Sequence, residues 1–200
     1  MAKSSVLNLS RDIEFLYEIG SLRHLPRTWR QFFQMDVANN AEHMFRVMWI
    51  ALTIARHEGV GNEEKILKMA LLHDIPESRT PDTNYLSKIY STRDEEKALE
   101  HMLDQTVFVK EFEALFKEYE TRSSMEAKIV KDADNLDVDF EISEMVAKGH
   151  QIKKVWQRGT VRKNFYTKTA SKIWDEIQTA NPHNWHVSAH QKFTAEKDRK

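Results

Sequence analysis

Four residues in this chain could together hold a metal ion: His43, the adjacent pair His73-Asp74, and Asp134. They supply two imidazoles and two carboxylates from three separate segments. That set suits one octahedral or near-octahedral divalent cation with open water positions. His73-Asp74 carries the most information. It follows the apolar run Met69-Ala70-Leu71-Leu72, at the end of the segment expected to be most buried. Burying a carboxylate there costs several kcal/mol, in rough terms, unless it is paired or coordinated. The plain alternative is a helix end with an exposed Asp and a satisfied core histidine. Asp132, Asp137 and Asp139 compete with Asp134 for the ligand role. Asp132, flanked by Lys128 and Lys131, reads as solvated surface.

These residues must be positioned by helices. The spacing predicts helices over Ser10–Gly20, with Ile13, Leu16 and Tyr17 on its apolar face, and from Asn39 to the stop at Gly59 and Gly61. Asn39 and Glu42 have capping-box spacing, and Met44, Val47, Met48, Ala51, Ile54 and Ala55 form a wide apolar stripe. A third helix opens after Asn62 and ends near Ile75, because Pro76 disfavours helical geometry before it. Further helices are expected over Asp94–Leu103, Lys110–Tyr119, Met125–Ala147 and Tyr166–Thr179, with a frayed tail. His43 then sits in the first turn of one helix, and Asp134 lies in another among apolar neighbours at helical spacing.

Composition agrees with an all-α fold, a single compact helical bundle over residues 1–200. The metal-site core spans about 22–150 and a helical extension about 151–195. The 200 residues include 5 Gly and 4 Pro, too few for a turn-rich β protein, and 30% are charged, as helix surfaces require. The absence of cysteine excludes disulfides and thiolate metal sites. A formal net charge of -1 provides no global basic field, so no nucleic-acid partner is expected. No apolar run is long enough to span a bilayer and the N-terminus has no apolar signal region, so no membrane association and a cytoplasmic location are expected.

In order and spacing, His43 (AEHMFRV), His73-Asp74 (ALLHDIPES) and Asp134 (VKDADNLD) resemble the HD-domain metal-dependent phosphohydrolases. HDIPESRTPD, with Glu77 and Asp82, is similar to the segment found in the HD-domain 5'-deoxynucleotidases. The resemblance covers roughly Leu22 to Asp137. It implies a compact HD-domain helical bundle, often dimeric, and one divalent cation (Mn, Co, Zn, Fe, Ni or Mg) held by His43, His73, Asp74 and Asp134. It implies that Glu77, with the metal ligand Asp74, serves catalysis beside the scissile phosphate, and that Asp82 contacts the nucleotide sugar. It implies an Arg-Trp pair for phosphate and deoxyribose. Here Arg27 and Trp29 are separated by Thr28, and Trp29-Arg30 is the alternative pairing. Pro81 also stands where relatives carry Gly. The expected substrate is a small nucleotide, a deoxynucleoside 5'-monophosphate. Alternatives are another HD substrate (a cyclic nucleotide, a guanosine polyphosphate or a triphosphate) or a non-catalytic helical module that keeps a metal.

The remaining motifs have plain readings. His183, His186 and His190 mark a surface segment with Trp185 packed on the bundle rather than a second metal site. The basic aromatic stretch around Trp156, Phe165 and Tyr166 reads as a solvated loop. Met44, Met48, Met69, Met102 and Met145 read as core fillers. Phe32, Phe33, Phe108 and Val109 would form the patch of a homodimer if exposed.

Overall fold

A computed structural model describes residues 8–33, 36–156 and 158–197. The α-helices are α1 (Leu9–Ser21), α2 (Arg30–Phe33), α3 (Asn40–Glu58), α4 (Glu63–Leu72), α5 (Glu95–Leu103), α6 (Val109–Thr121), α7 (Met125–Ala147), α8 (Ile152–Val155), α9 (Lys168–Ile177) and α10 (Asn184–Lys197). Short 3-10 turns occupy Leu22–His24, Ile75–Ser78, Ser87–Ile89 and Val161–Asn164. Among the described residues there is no strand, only an isolated bridge between Pro26 and Asn39.

Helix ends are set by local chemistry. Asn39 and Glu42 form the reciprocal capping box that opens α3. Gly59, at φ 73°, closes α3 in the left-handed conformation that glycine tolerates best. Asn62 caps α4 through the Lys65 amide, and Ser124 caps α7 through the Ala127 amide. Pro76 lies in the first turn of Ile75–Ser78, so the chain leaves α4 and turns at His73-Asp74.

The long helices α3 and α7 pack against each other, with α4 and α9 beside them. Their core joins Val47, Ala51, Ile54, Ile66, Met69, Ile129, Ala133 and Leu136. A second cluster joins α1, α3, α4, α5 and α6 through Phe15, Met44, Leu72, Leu99, Met102 and Phe116. A third joins α7 and α8 around Val138, Ile142, Met145 and Ile152, with Trp29, Phe33 and Trp156 packed on it. Met44, Met69, Met102 and Met145 are buried as core fillers, and Met48 packs on the core edge.

Several expectations fail. In α1 it is Phe15 that is buried, whereas Ile13, Leu16 and Tyr17 face solvent. The helix turns Phe15 toward Phe108, leaving the other apolar face outside. Phe32, Phe33, Phe108 and Val109 are half-buried against their own chain, not an open patch. Trp185 does not pack on the bundle: it is 76% exposed, on a helix α10 with no buried residue. The expected frayed tail is helical as far as Lys197, and residues 198–200 lie outside the described residues. The segment around Trp156 is not a solvated loop, because Trp156 packs on Trp29 and Phe33 and Arg158 pairs with buried Asp139.

Candidate metal and phosphate site

α3, α4 and α7 converge where α4 ends. His43 lies one turn into α3, His73 follows the last residue of α4, and Asp134 lies midway along α7. Both imidazoles are buried. Their Nε2 atoms are 3.3 Å apart. His43 Nε2 is 3.3 Å from Asp134 Oδ1 and 3.4 Å from Asp74 Oδ2, and His73 Nε2 is 3.5 Å from the same Asp74 oxygen. Donor atoms of His43, His73 and Asp134 all lie within 4.8 Å of one another.

The far ring nitrogens fix what the near ones offer. His43 Nδ1 is 2.6 Å from Asp137 Oδ2, and His73 Nδ1 is 2.7 Å from the Ala70 carbonyl. Both partners are acceptors, so each Nδ1 carries the proton. A neutral ring then presents a bare Nε2 lone pair to the centre. Asp74 and Asp134 draw positive charge to this point, whether a proton on His43 or a cation, and a cation would be met there by two Nε2 lone pairs and two carboxylates. The spacing agrees. Ligands about 2.1 Å from one ion are about 3.0–3.4 Å apart in octahedral or tetrahedral arrangements. The residues therefore fit a divalent cation.

Charge at the site is strongly coupled. For His43, burial and Arg27 oppose protonation, but hydrogen bonds to Asp134, Asp137 and Asp74 outweigh them and hold its pKa well above the usual value. Burial pulls His73 the other way, below its usual value. Burial opposes the charge of Asp74, yet His73, His43 and Arg27 hold it far below the usual carboxylate range. Lys131 Nζ, 2.7 Å from Asp134 Oδ2, acts likewise on Asp134.

Arg27 is buried, with Nη1 donating to Asp74 Oδ2 at 2.8 Å and its guanidinium 4.8 Å from the Trp29 ring. Its Nε has no hydrogen-bond partner among the described residues. Arg30, the alternative, points away, its side chain 57% exposed beside Asp36. Asp82 Oδ2 accepts from the Thr28 amide at 2.8 Å and the Thr28 hydroxyl at 3.1 Å. The inserted Thr28 therefore ties the Asp82 loop to the Arg27–Trp29 segment, despite Pro81.

Glu77 is buried. Oε2 accepts from Asn40 Nδ2 at 2.5 Å, and Oε1 from Arg93 Nη1 at 3.1 Å. Burial, then the charges of Asp74 and Asp82, push its carboxyl up to about 8. A cavity of about 260 Å³ opens over the cluster, lined by the cations Arg27, Lys88, Arg93, Arg122 and Lys131 and by the carboxylates Asp74, Glu77, Asp82, Glu95, Glu120 and Asp134. A divalent cation on the carboxylate side, added to these basic groups, would suit the cavity to a small polyanion.

The four α7 aspartates separate by task. Asp134 faces the cavity. Asp137 backs His43 and accepts from Arg46 Nε, and Asp139 pairs with Arg158 at 3.2 Å. Asp132 corrects the surface reading: it is fully buried and accepts from the Tyr166 and Thr167 amides and the Thr167 hydroxyl, anchoring the start of α9. Sequence reasoning missed Asn40, Arg93 and the supporting role of Asp137. Asn40 and Asp137 were legible in the spacing, each three residues from a candidate ligand on the same helix face. Arg93 carries no local signal. His183 and His186 lie on the exposed surface near α10, with Nε2 of one 3.3 Å from Nδ1 of the other.

The HD domain family profile matches residues 19–181. The chain is 32% identical to 5'-deoxynucleotidase HDDC2 of Danio rerio over 170 residues, covering 80% of this chain and 79% of the relative. It is 30% identical to the Homo sapiens 5'-deoxynucleotidase HDDC2, covering 80% and 78%. Among solved structures, a conserved hypothetical protein from Pyrococcus furiosus superimposes with a TM-score of 0.70 at 26% identity, covering 84% of this chain and 99% of that one. By these matches the chain belongs to the HD domain family and is an HD phosphohydrolase related to the 5'-deoxynucleotidases.

Proposed function

We propose that this chain is a divalent-metal-dependent 5'-deoxynucleotidase that releases phosphate from deoxynucleoside 5'-monophosphates. The observation that carries this reading is the pair of facing His43 and His73 Nε2 atoms, 3.3 Å apart and bracketed by Asp74 and Asp134, under a cavity lined by both cationic side chains and carboxylates. The relatives named 5'-deoxynucleotidase support the substrate class.

His43, His73, Asp74 and Asp134 would hold the cation. When bound, it would supply Lewis acidity toward a phosphoryl oxygen and make a water more acidic. Arg27 binds the phosphoryl group: its guanidinium, held by Asp74, lines the cavity over the cluster. Lys131, Lys88 and Arg93 add positive charge around the same cavity. Glu77 moves the proton. A carboxyl with a pKa near neutrality can take a proton from the attacking water or give one to the departing 5'-oxygen. Asn40 and Arg93 hold it in place. Asp82 accepts a hydrogen bond from the sugar 3'-hydroxyl, and Trp29 packs on the deoxyribose.

A homodimer is part of this reading, supported by the exposed apolar side chains Leu16, Tyr17, Phe45 and Trp49. Sedimentation velocity tests it, and a single monomer species at all concentrations removes it. No helix among the described residues is long and apolar enough to cross a membrane, and a cytoplasmic location accords with that.

The deciding experiment strips the protein with EDTA, restores Mn, Co, Zn or Mg singly, and measures phosphate release from deoxy- and ribonucleoside 5'-monophosphates. Metal-dependent release, faster on the deoxy substrates, is expected. Metal binding with no release from any monophosphate overturns the activity.

A further inference from the structure

A second cavity, of about 250 Å³, adjoins the phosphate cavity and shares Arg27, Asp82, Lys88, Lys131 and Asp134 with it. Its chemistry differs: the shared side is charged, and the far side is aromatic. Trp29, Phe32, Tyr85 and Trp156 line that side. The Trp29 and Trp156 rings lie 5.8 Å apart at 56°, and the Tyr85 and Trp156 rings lie 6.5 Å apart in near-parallel planes, at 26°.

From this geometry we infer that Trp156 and Tyr85 form the nucleobase platform of the site, with Arg158 as the residue that positions Trp156. The inference rests on the nucleotide reading above and adds the part of the substrate that reading leaves unassigned. A 5'-nucleotide with its phosphate over Asp134 and Arg27 and its sugar at Asp82 has one direction left for its base, away from the charged wall and toward these rings. Tyr85 is 63% exposed, which leaves its ring accessible to a ligand. Trp156 is half-buried, with packing partners on the side of Val138 and Ile152.

Arg158 explains why the platform stays in register with the catalytic helix. Its Nε donates to Asp139 at 3.2 Å and its Nη2 to the Asn135 carbonyl at 3.0 Å, both on α7, and its guanidinium lies 5.1 Å from the Trp156 ring. The segment bearing Trp156 is thus pinned one residue from Asp134. Because every base presents a π face, a stacking platform tolerates all four bases, and KM values for the four deoxynucleotides should fall within a few-fold of one another.

The test compares Trp156→Ala and Tyr85→Ala with the native protein, using dAMP and 2-deoxyribose 5-phosphate, which has phosphate and sugar but no base. Removing a stacking ring typically costs roughly five- to a hundredfold in affinity. The expected result is a fall of about tenfold in the ratio of kcat/KM for dAMP to that for the sugar phosphate, carried by KM, with a matching rise in the dAMP dissociation constant. Arg158→Met should lower the same ratio, because the ring is no longer held. Tyr85→Ala removes an exposed side chain and guards against a folding defect in the tryptophan variant. An unchanged ratio in both alanine variants, or native protein that does not bind dAMP, overturns the platform. Native protein that binds dAMP through these rings but releases no phosphate overturns the proposed activity and leaves the platform standing.

Discussion

Asp137 Oδ2 lies 2.6 Å from His43 Nδ1, on the opposite side of the ring from the metal-facing Nε2. The carboxylate lies three residues after Asp134 on α7, so one helix supplies both a candidate ligand to the centre and the acceptor that orients another candidate, His43. Burial opposes the charge of Asp137, but His43 and then Arg46, which also donates to it, hold its carboxyl below the usual carboxylate range. Replacing it with Asn should weaken metal affinity by about 10- to 100-fold with the fold retained. Metal titration by calorimetry measures this, and an unchanged affinity would show that the ring needs no such partner.

Asp134→Ala should be far more severe, removing a candidate ligand outright. The variant is expected to lose stoichiometric metal after dialysis and phosphate release with it. Full metal content by mass spectrometry, together with native turnover, would remove Asp134 from the ligand set.

Asp132→Ala offers the contrast. This carboxylate is buried at the start of α9 and satisfies two amides and a hydroxyl there. Its loss should cost about 1–3 kcal/mol, which lowers Tm by several degrees in a chain of this size. Metal content and kcat should stay close to native. A variant with native Tm but no metal would reverse the assignments of Asp132 and Asp134.

Arg27→Lys should reduce kcat/KM by about a hundredfold or more. The ammonium cannot contact Asp74 and offer a further planar donor in the way the guanidinium does. Near-native kinetics in this variant would show that point charge alone suffices at the phosphoryl group.

Glu77 predicts a pH dependence of stability in the metal-free protein. Its folded pKa, about 8, lies above the unfolded carboxyl value. Between those two values the folded state binds more protons, so stability falls as pH rises through that window. In EDTA, Tm should decline from pH 6 to pH 9, and Glu77→Gln, which copies the protonated carboxyl, should flatten the decline. Identical slopes for the two proteins would show that Glu77 does not bear this charge penalty.

The helices and the metal-facing residues were legible because both are written in local pattern. Capping chemistry marks α3 at Asn39–Glu42, Pro76 ends the run before Glu77, and an apolar segment leading into His73-Asp74 demands a partner for the charge. The sequence by itself therefore determined an all-α chain whose His43, His73, Asp74 and Asp134 could share one ion. Periodicity says which helix face is apolar, but not which neighbour covers it. In α1 Ile13, Leu16 and Tyr17 are left outside while Phe15 turns in. Asp132, Asp134, Asp137 and Asp139 are chemically alike and lie within eight residues, and their tasks differ only because α9, the cavity, His43 and Arg158 lie in four different directions from α7. Arg27 over Arg30, Arg93 on Glu77 and Trp156 beside Trp29 were likewise decided in three dimensions. Each joins residues distant in the chain through contacts that close only when the helices pack, and no local spacing encodes them.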